Sequence, residues 1–309
     1  MRKKIILGIV ILIALAAVGG AVYFAKNYAV IYTSFCGKHF ERNDVTKIMH
    51  KYMDDEWEEQ VLCTPSLKKF TKLESLWIYV NEDTNYEYLS EMNNLQELTI
   101  MYQGYVYYHE TLPESDLETL PELPNLKKLT LLGALSGETN FALSDENKYN
   151  FSSIENLDIS FFTDIDFNSL KHFKNLKKLY LHSMCSLSDM DCFSELQYLE
   201  NAEFYVYLKE KVNDLFDLSG LKNNKNLKLL TVHNYYDEKF ILKDTDCFSD
   251  LASIEELKII NISFENIDGL LKMKSLKNLN IDDDCLTEEQ IEDLQSRGIN
   301  VELVQRRSD

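Results

Sequence analysis

Glycine and proline are scarce in this sequence, which has 10 glycines and 4 prolines among 309 residues. Without a Pro/Gly-rich linker to divide it, the chain is expected to form one long body after its first sixty residues. Apolar residues make up 45% of the chain, which is enough for a large core. This composition argues against intrinsic disorder for most of the chain.

Basic patches are also missing. The formal net charge is −19, and the lysines are scattered among Glu and Asp instead of forming one stripe. A chain of this kind repels phosphate backbones, so we expect no nucleic acid among its partners.

Catalytic motifs are absent as well. The sequence has no zinc-protease helix motif, no nucleophile elbow and no phosphate-binding glycine loop, and its six histidines have no metal-ligand spacing. No Cys-x-x-Cys pair indicates zinc or redox chemistry. We therefore expect a protein that is not an enzyme and needs no cofactor or metal.

One long apolar run is present at the N-terminus. Residues 1–4 form a cationic tail, and residues 5–25 are uncharged and mostly apolar, enough for a helix of about 30 Å that crosses a membrane. Because three cations precede the run, the tail is expected inside the cell and the body outside. The alternative is a cleaved signal sequence, which would leave a secreted body.

A segment of the form L-x-x-L-x-L recurs nine times. The copies begin at Leu73, Leu95, Leu126, Ile154, Leu176, Leu199, Leu227, Ile254 and Leu276, at intervals of 22 to 31 residues. The last two apolar positions alternate as in a short strand, and apolar residues at three-residue steps before most copies suit a tight helical return. No unit can bury its own apolar edge, so the units are expected to stack into a solenoid with a parallel sheet.

These motifs resemble the leucine-rich-repeat family, particularly the 22-residue repeats of bacterial internalin-like surface proteins, over about Leu67 to Asp284. The resemblance implies an α/β fold, a leucine-rich-repeat solenoid with a curved parallel sheet and short helical or irregular returns. It also implies a place on a bacterial cell surface. The family pattern has Asn three residues after the last apolar position, whereas this chain has it only at Asn81, with Asp284 as a partial substitute. The coil turns are therefore expected to be irregular.

Residues 26–66 are predicted to be a linker and an N-terminal helical cap, because a solenoid end must be covered. Asp44 can begin a helix whose apolar face is Val45, Ile48, Met49, Tyr52 and Met53. Cys36 and Cys63 flank this helix, which favours a disulfide between them, with two free thiols as the alternative.

The solenoid is expected to cover residues 67–286, and residues 287–309 to form a C-terminal cap and tail. Thr287 and Gln290 have capping-box spacing, and Gly298 marks the end of the helix. An alternating strand, residues 299–303, should follow as the edge of the sheet.

Strand residues that alternate with the buried positions must face the concave side of the sheet. Many of them are aromatic, and two more tyrosines extend the set into adjoining loops. The predicted ligand-binding residues are Trp77, Tyr79, Tyr102, Tyr180, His182, Tyr205, His233 and Tyr235. Exposed aromatic side chains are typical of binding hot spots, although high strand propensity also accounts for them.

Together these features predict an exported, membrane-anchored protein that binds a protein or peptide on its concave face without catalysis. A carbohydrate is the second choice of ligand. The alternative function is a structural or scaffold component of the cell envelope.

Overall fold

The computed structural model describes residues 18, 20–23, 28–32, 37–41, 45–48, 61–80, 84–102, 117–133, 140–143, 151–162, 164–183, 190–206, 218–235, 239–242, 245–264 and 266–305. Most of the expected membrane segment, residues 5–25, lies outside this range. Within the described part of the chain, no helix is both long enough and apolar enough to span a membrane.

Seventeen strands are present in the described residues. They are β1 (Tyr28–Tyr32), β2 (Gly37–Glu41), β3 (Lys47–Ile48), β4 (Ser75–Val80), β5 (Glu97–Tyr102), β6 (Lys128–Leu132), β7 (Asn140–Phe141), β8 (Asn156–Phe162), β9 (Asp164–Ile165), β10 (Lys178–Ser183), β11 (Asn201–Val206), β12 (Leu229–Asn234), β13 (Phe240–Leu242), β14 (Glu256–Ile260), β15 (Ile262–Phe264), β16 (Asn278–Asp282) and β17 (Asn300–Val304).

Eleven of these strands form one parallel sheet in the order β17-β16-β14-β12-β11-β10-β8-β6-β5-β4-β3. All nine strands predicted from the repeat belong to it. Smaller two-stranded sheets pair β1 with β2 in antiparallel fashion, and β7 with β9 and β13 with β15 in parallel. The neighbours in the long sheet follow the order of the chain, as stacking of successive coils requires.

The return segments are short helical turns. Those of the 3₁₀ type are Pro65–Lys69, Tyr86–Leu89, Leu117–Thr119, Phe151–Ser153, Phe167–His172, Met190–Glu195 and Ser219–Asn223. The α-helices are α1 (Asp246–Ser249), α2 (Asp268–Lys272) and α3 (Glu288–Ser296). Short 3₁₀ turns are the form expected where apolar residues recur every third position.

The core lies between the long sheet and these returns. In each coil the alternating strand residues point inward, as Leu179 and Leu181 do in β10, and both are buried. Phenylalanines of the returns fill the opposite side, and the rings of Phe151 and Phe173 stack at 4.9 Å between successive coils. The sheet face opposite this core is called the open sheet face below.

The N-terminal part differs from the prediction. Lys47 and Ile48 form β3, which pairs in parallel with Ser75 and Leu76 of β4, so the predicted helix from Asp44 is wrong at these positions. The reason is that the free edge of β4 offers unpaired backbone groups, and Ile48 can bury its side chain there only as part of a strand. Residues 42–44 and 49–60, the rest of that helix, lie outside the described residues.

The C-terminal part agrees with the prediction. Thr287 and Gln290 form a reciprocal capping box at the start of α3, and Leu294 is buried. Gly298 has φ +83°, a left-handed conformation that glycine adopts without strain. The following strand, β17, pairs with β16 and lies at one edge of the long sheet.

Candidate functional site

Six rings of the described residues meet on the open sheet face, and we call them the aromatic cluster: Phe161, Tyr180, His182, Tyr205, His233 and Tyr235. The ring centroids of Tyr180 and Tyr205 lie 4.9 Å apart. Tyr235 stacks on His233 at 4.4 Å and on His182 at 5.1 Å. Because Tyr205 also lies 5.7 Å from both His233 and Tyr235, it occupies the centre of the cluster.

The strand register assembles this cluster. His182 of β10 pairs with Tyr205 of β11, and Tyr205 pairs with His233 of β12. Parallel neighbouring strands keep the repeat in phase. The residues directly after the last apolar position of each motif therefore fall into one column across the sheet. The sequence predicted this column, and the structure brings five of the eight predicted ligand-binding residues into one group.

Phe161 is a member of the cluster that the sequence analysis did not select. It is the extra residue of a bulge in β8, where Ser160 pairs with His182 and Phe162 pairs with Ser183. With φ at 65°, Phe161 is turned outward, 39% exposed, and its ring lies 4.9 Å from that of His182. Bulges often re-aim a side chain in this way, at the cost of backbone strain. Two consecutive phenylalanines, one residue after the motif, are the only trace of the bulge in the sequence.

Burial sets the charge of the cluster. Desolvation lowers the pKa of His182 and that of His233, where nearby Asp282 opposes the shift and His182 adds to it. Both imidazoles are therefore neutral at pH 7. Desolvation, with the charge of Glu203, raises the pKa of Tyr205 to about 12, so its phenol stays protonated and donates to Glu203 Oε2 at 3.3 Å.

A polar pocket of about 330 Å³ lies beside the cluster. Its polar lining residues are Lys128, Asn156, Asp158, Lys178, Tyr180, Asn201 and Glu203. Asp158 and Glu203 are the ladder neighbours of Tyr180, one on each side. Burial raises the pKa of Asp158, while the Ser160 hydroxyl, which donates to Asp158 Oδ1 at 2.8 Å, and the charge of Lys128 act against that shift.

Three predicted binding residues do not join the cluster. Trp77 is half-buried on β4, four strands from β10, or about 19 Å at the usual strand spacing. Tyr79 is only 4% exposed, because the segment around Val61 and Leu62 pairs alongside it. Tyr102 is 2% exposed, because β5 continues the inward alternation of Leu98 and Ile100 for one more step. A ligand on the open sheet face cannot contact Tyr102, so that assignment was wrong.

Only one of the two cysteines of the predicted disulfide lies within the described residues. Cys63 is a buried thiol whose Sγ lies 3.4 Å from the carbonyl oxygen of Asn85, and burial raises its pKa to about 12. Cys36 lies outside the described residues, so the bridge stays a prediction.

Among the described residues, one group of side chains has the donor types of a metal site. Asp282, Asp284 and Cys285 bring their ligand atoms within 4.8 Å of one another. Lys239 is bound to Asp284 and lies 3.4 Å from Asp282 Oδ2 and 3.4 Å from Cys285 Sγ. Lys239 pairs with both carboxylates, so the group forms an ion-pair network between coils.

Coil-to-coil hydrogen bonds follow a rule that the sequence analysis missed. In seven of the nine motifs, the residue just before the first apolar position donates its side chain to a carbonyl of the preceding coil. The bonds are Asn94 to Thr71, Asn125 to Asn93, Ser153 to Leu123, Asn175 to Ser152, Asn226 to Gln197, Ser253 to Asn224 and Ser275 to Ala252, at 2.7 to 3.3 Å. This ladder lies just before the motifs, whereas the family's usual asparagine position lies after them.

Strand, 3₁₀ or short helical return, and a side-chain ladder thus repeat from coil to coil, with units of 22 to 31 residues stacked in one parallel sheet. The fold is a leucine-rich-repeat solenoid. The repeat geometry of the described residues shows this fold, and it confirms, for the fold, the resemblance to the leucine-rich-repeat family.

No protein-family model and no curated protein matches the sequence. Solved leucine-rich-repeat structures are similar in fold. An internalin (inlF) from Listeria monocytogenes has 16% identity and a TM-score of 0.39, over 88% of this chain and 85% of that one. An internalin C2 (inlC2) from the same species has 14% identity and a TM-score of 0.42, over 78% and 84%.

TLR13, in a crystal structure of its complex with ssRNA13, has 14% identity and a TM-score of 0.49. The match covers 77% of this chain and 41% of TLR13. At these identities the likeness concerns the fold alone. The expectation that nucleic acid is not a partner gains no support from these neighbours.

Proposed function

We propose that this leucine-rich-repeat solenoid is a non-enzymatic recognition protein that binds a protein or peptide partner on its open sheet face. The aromatic cluster is the observation that supports this most. Its rings touch one another across β8, β10, β11 and β12, and Phe161 and Tyr235 at its margin are 39% and 44% exposed. Rigid aromatic side chains with a polar group contribute large contact area at little entropic cost, which suits a binding surface.

We further propose that the body is exported and held at the cell membrane by residues 5–25, with residues 1–4 inside. Secretion after cleavage of that segment is the alternative. In this organisation residues 26–66 and 287–309 cover the two ends of the solenoid at residues 67–286. The cationic tail and the apolar run of the sequence support this proposal.

The test replaces three rings of the cluster at once, Tyr180→Ala, Tyr205→Ala and Tyr235→Ala, in the tagged full chain. We expect the variant to lose the partner that the unaltered chain retains on affinity capture from its producing cells, by tenfold or more. Hot-spot aromatics typically cost 2 kcal/mol or more when truncated, which is about a thirtyfold loss for one strong position. Partner recovery would be quantified by mass spectrometry.

The matched control is Tyr198→Ala, because Tyr198 is 54% exposed in the turn before β11 and lies outside the cluster. It should keep the partner. If the triple variant keeps the partner as well, while its thermal unfolding is unchanged, the open sheet face is not the binding surface. If capture of a partner then depends only on the membrane segment, residues 5–25, the result would favour the alternative function as a structural or scaffold component of the cell envelope.

A further inference from the structure

The polar pocket contains a carboxylate that is partly buried and incompletely paired. Asp158 Oδ1 accepts the bond from Ser160 Oγ, but Oδ2 accepts none from the described residues. Glu203 is similar, because its Oε2 accepts from Tyr205 and its Oε1 accepts no hydrogen bond in the described part of the chain. A carboxylate that loses water without gaining a donor is held at an energetic cost, which a bound cation would remove.

An aromatic ring lies between these two carboxylates. Tyr180 pairs with Asp158 on one side and with Glu203 on the other, at about 4.8 Å per strand. Both acids act on the Tyr180 phenol, since their charges, after desolvation, help to raise its pKa. Tyr205 covers one side of the Tyr180 ring at 4.9 Å, and the rest of that ring lines the pocket.

We propose that this pocket binds the guanidinium group of an arginine side chain, so that the partner of the open sheet face is a basic peptide segment. A guanidinium is planar, can stack on the Tyr180 ring, and presents donors on both edges to the free oxygens of Asp158 and Glu203. The net charge of −19 favours a basic partner over the whole surface. This inference rests on the proposed function and names the chemistry of its ligand.

Two lysines of the pocket do not fill this role. Lys128 and Lys178 are the first, exposed residues of their strands, and Lys178 lies two positions before Tyr180. Neither makes an ion pair with Asp158 or Glu203 within the described residues. Lys128 favours the ionised form of Asp158 through its charge alone. The carboxylates therefore stay open to a cation that comes from outside.

The test uses N-acetyl-L-argininamide as the probe and the purified full chain. Saturation-transfer NMR titration should give a dissociation constant on the order of 1 mM, as expected for so small a ligand. Asp158→Asn and Glu203→Gln should each weaken binding about tenfold, and the double variant should abolish it. Both changes keep the shape of the side chain and an oxygen that can accept the bonds from Ser160 and Tyr205.

Glu256→Gln is the matched control, since it removes one negative charge from the same face but its carboxylate is already paired with Lys258 at 2.9 Å. Its affinity for the probe should stay within twofold of the unaltered chain. N-acetyl-L-lysinamide should bind several times more weakly than the arginine probe, because an ammonium cannot stack on the ring. Affinity for the arginine probe should also fall as pH drops through the raised pKa of Asp158.

Three results would overturn the inference: no binding of the arginine probe, binding that survives in the double variant, or tighter binding of maltose or of a thymidine oligonucleotide. Its failure is separable from that of the proposed function. If the probe does not bind while the triple tyrosine variant still loses its partner, recognition by the aromatic cluster stands and only the arginine chemistry is wrong.

Discussion

His182 and His233 show how single residues couple the aromatic cluster to pH. The imidazole ring of each stacks on the Tyr235 ring, with centroid distances of 5.1 Å for His182 and 4.4 Å for His233. Desolvation lowers the pKa of both histidines. Protonation would place two like charges on either side of one tyrosine, with Asp282 as a nearby acid that favours the charged form of His233. Neutral rings are therefore part of the folded state.

The pH dependence of stability follows from this. A histidine whose pKa is lower in the folded than in the unfolded state contributes stability at neutral pH that is lost as pH falls below the unfolded value of 6.5. We expect the urea midpoint of the full chain to fall between pH 7.5 and 5.5, and to fall less in the variant His182→Gln, His233→Gln. The other four histidines are present in both proteins, so an identical pH dependence of the two midpoints would show that the cluster tolerates protonation.

At the residue scale, the sequence predicted most members of the aromatic cluster, but it did not show which other aromatic residues belong to the cluster and which do not. Tyr180, His182, Tyr205 and His233 follow from alternation alone, because each is the immediate neighbour of a buried motif residue. Tyr102 and Phe161 do not. The first turns inward because its strand runs two residues past the motif, and the second turns outward because of a bulge at positive φ. Neither the length of a strand nor a bulge is encoded in the repeat pattern.

At the element scale the solenoid depends on how closely one return can approach the next. The start of α2 lies against the residue before α1, and Thr245 Oγ1 accepts from the backbone nitrogens of Gly269 at 2.9 Å and Leu270 at 3.3 Å. A Cβ at position 269 would lie 1.7 Å from the carbonyl oxygen of Thr245. Only glycine permits this contact between coils.

Gly269→Ala should therefore lower the free energy of unfolding by about 3 kcal/mol or more, because the clash is with backbone that cannot move aside. Gly298→Ala is the control. Its Cβ would meet no atom within 4 Å, and only the positive φ of 83° penalises it, by about 1 kcal/mol. Urea unfolding of the two variants measures the difference. Equal effects would mean that the coils at α1 and α2 are not in close contact.

The repeat pattern predicted the nine strands because inward leucines recur wherever a coil crosses the sheet. It did not predict the side-chain ladder of Asn and Ser, since those residues stand before the motif and not at the family's usual position after it. A second ladder, formed by charged side chains at the second position of the motif, was not predicted either. Glu155 lies between Lys127 at 2.9 Å and Lys177 at 2.8 Å, and hydrogen bonds to these lysines lower its pKa to about 2. These pairs are exposed, so they set coil register more than stability.

At the scale of the whole molecule, the solenoid presents one continuous face on which only a part is chemically distinctive. Towards β4, the positions in register with Asp158 hold Thr99 and Thr130, whereas β8 to β12 hold the aromatic cluster and most of the polar pocket. This concentration favours recognition of a compact segment of a partner over contact along the whole sheet. The function of the chain would then reside in a few adjacent coils, with the remaining coils and ends supporting their geometry.

The most direct test of this account is photo-crosslinking from the centre of the aromatic cluster. Benzoylphenylalanine would replace Tyr205 in one full-length protein and Tyr198 in another, each made in the cell that produces the chain, and adducts would be identified by mass spectrometry after irradiation. The account predicts a defined adduct with one protein or peptide at position 205 and none with that partner at position 198. An adduct at position 198 alone, or the same partner at both positions, would contradict it.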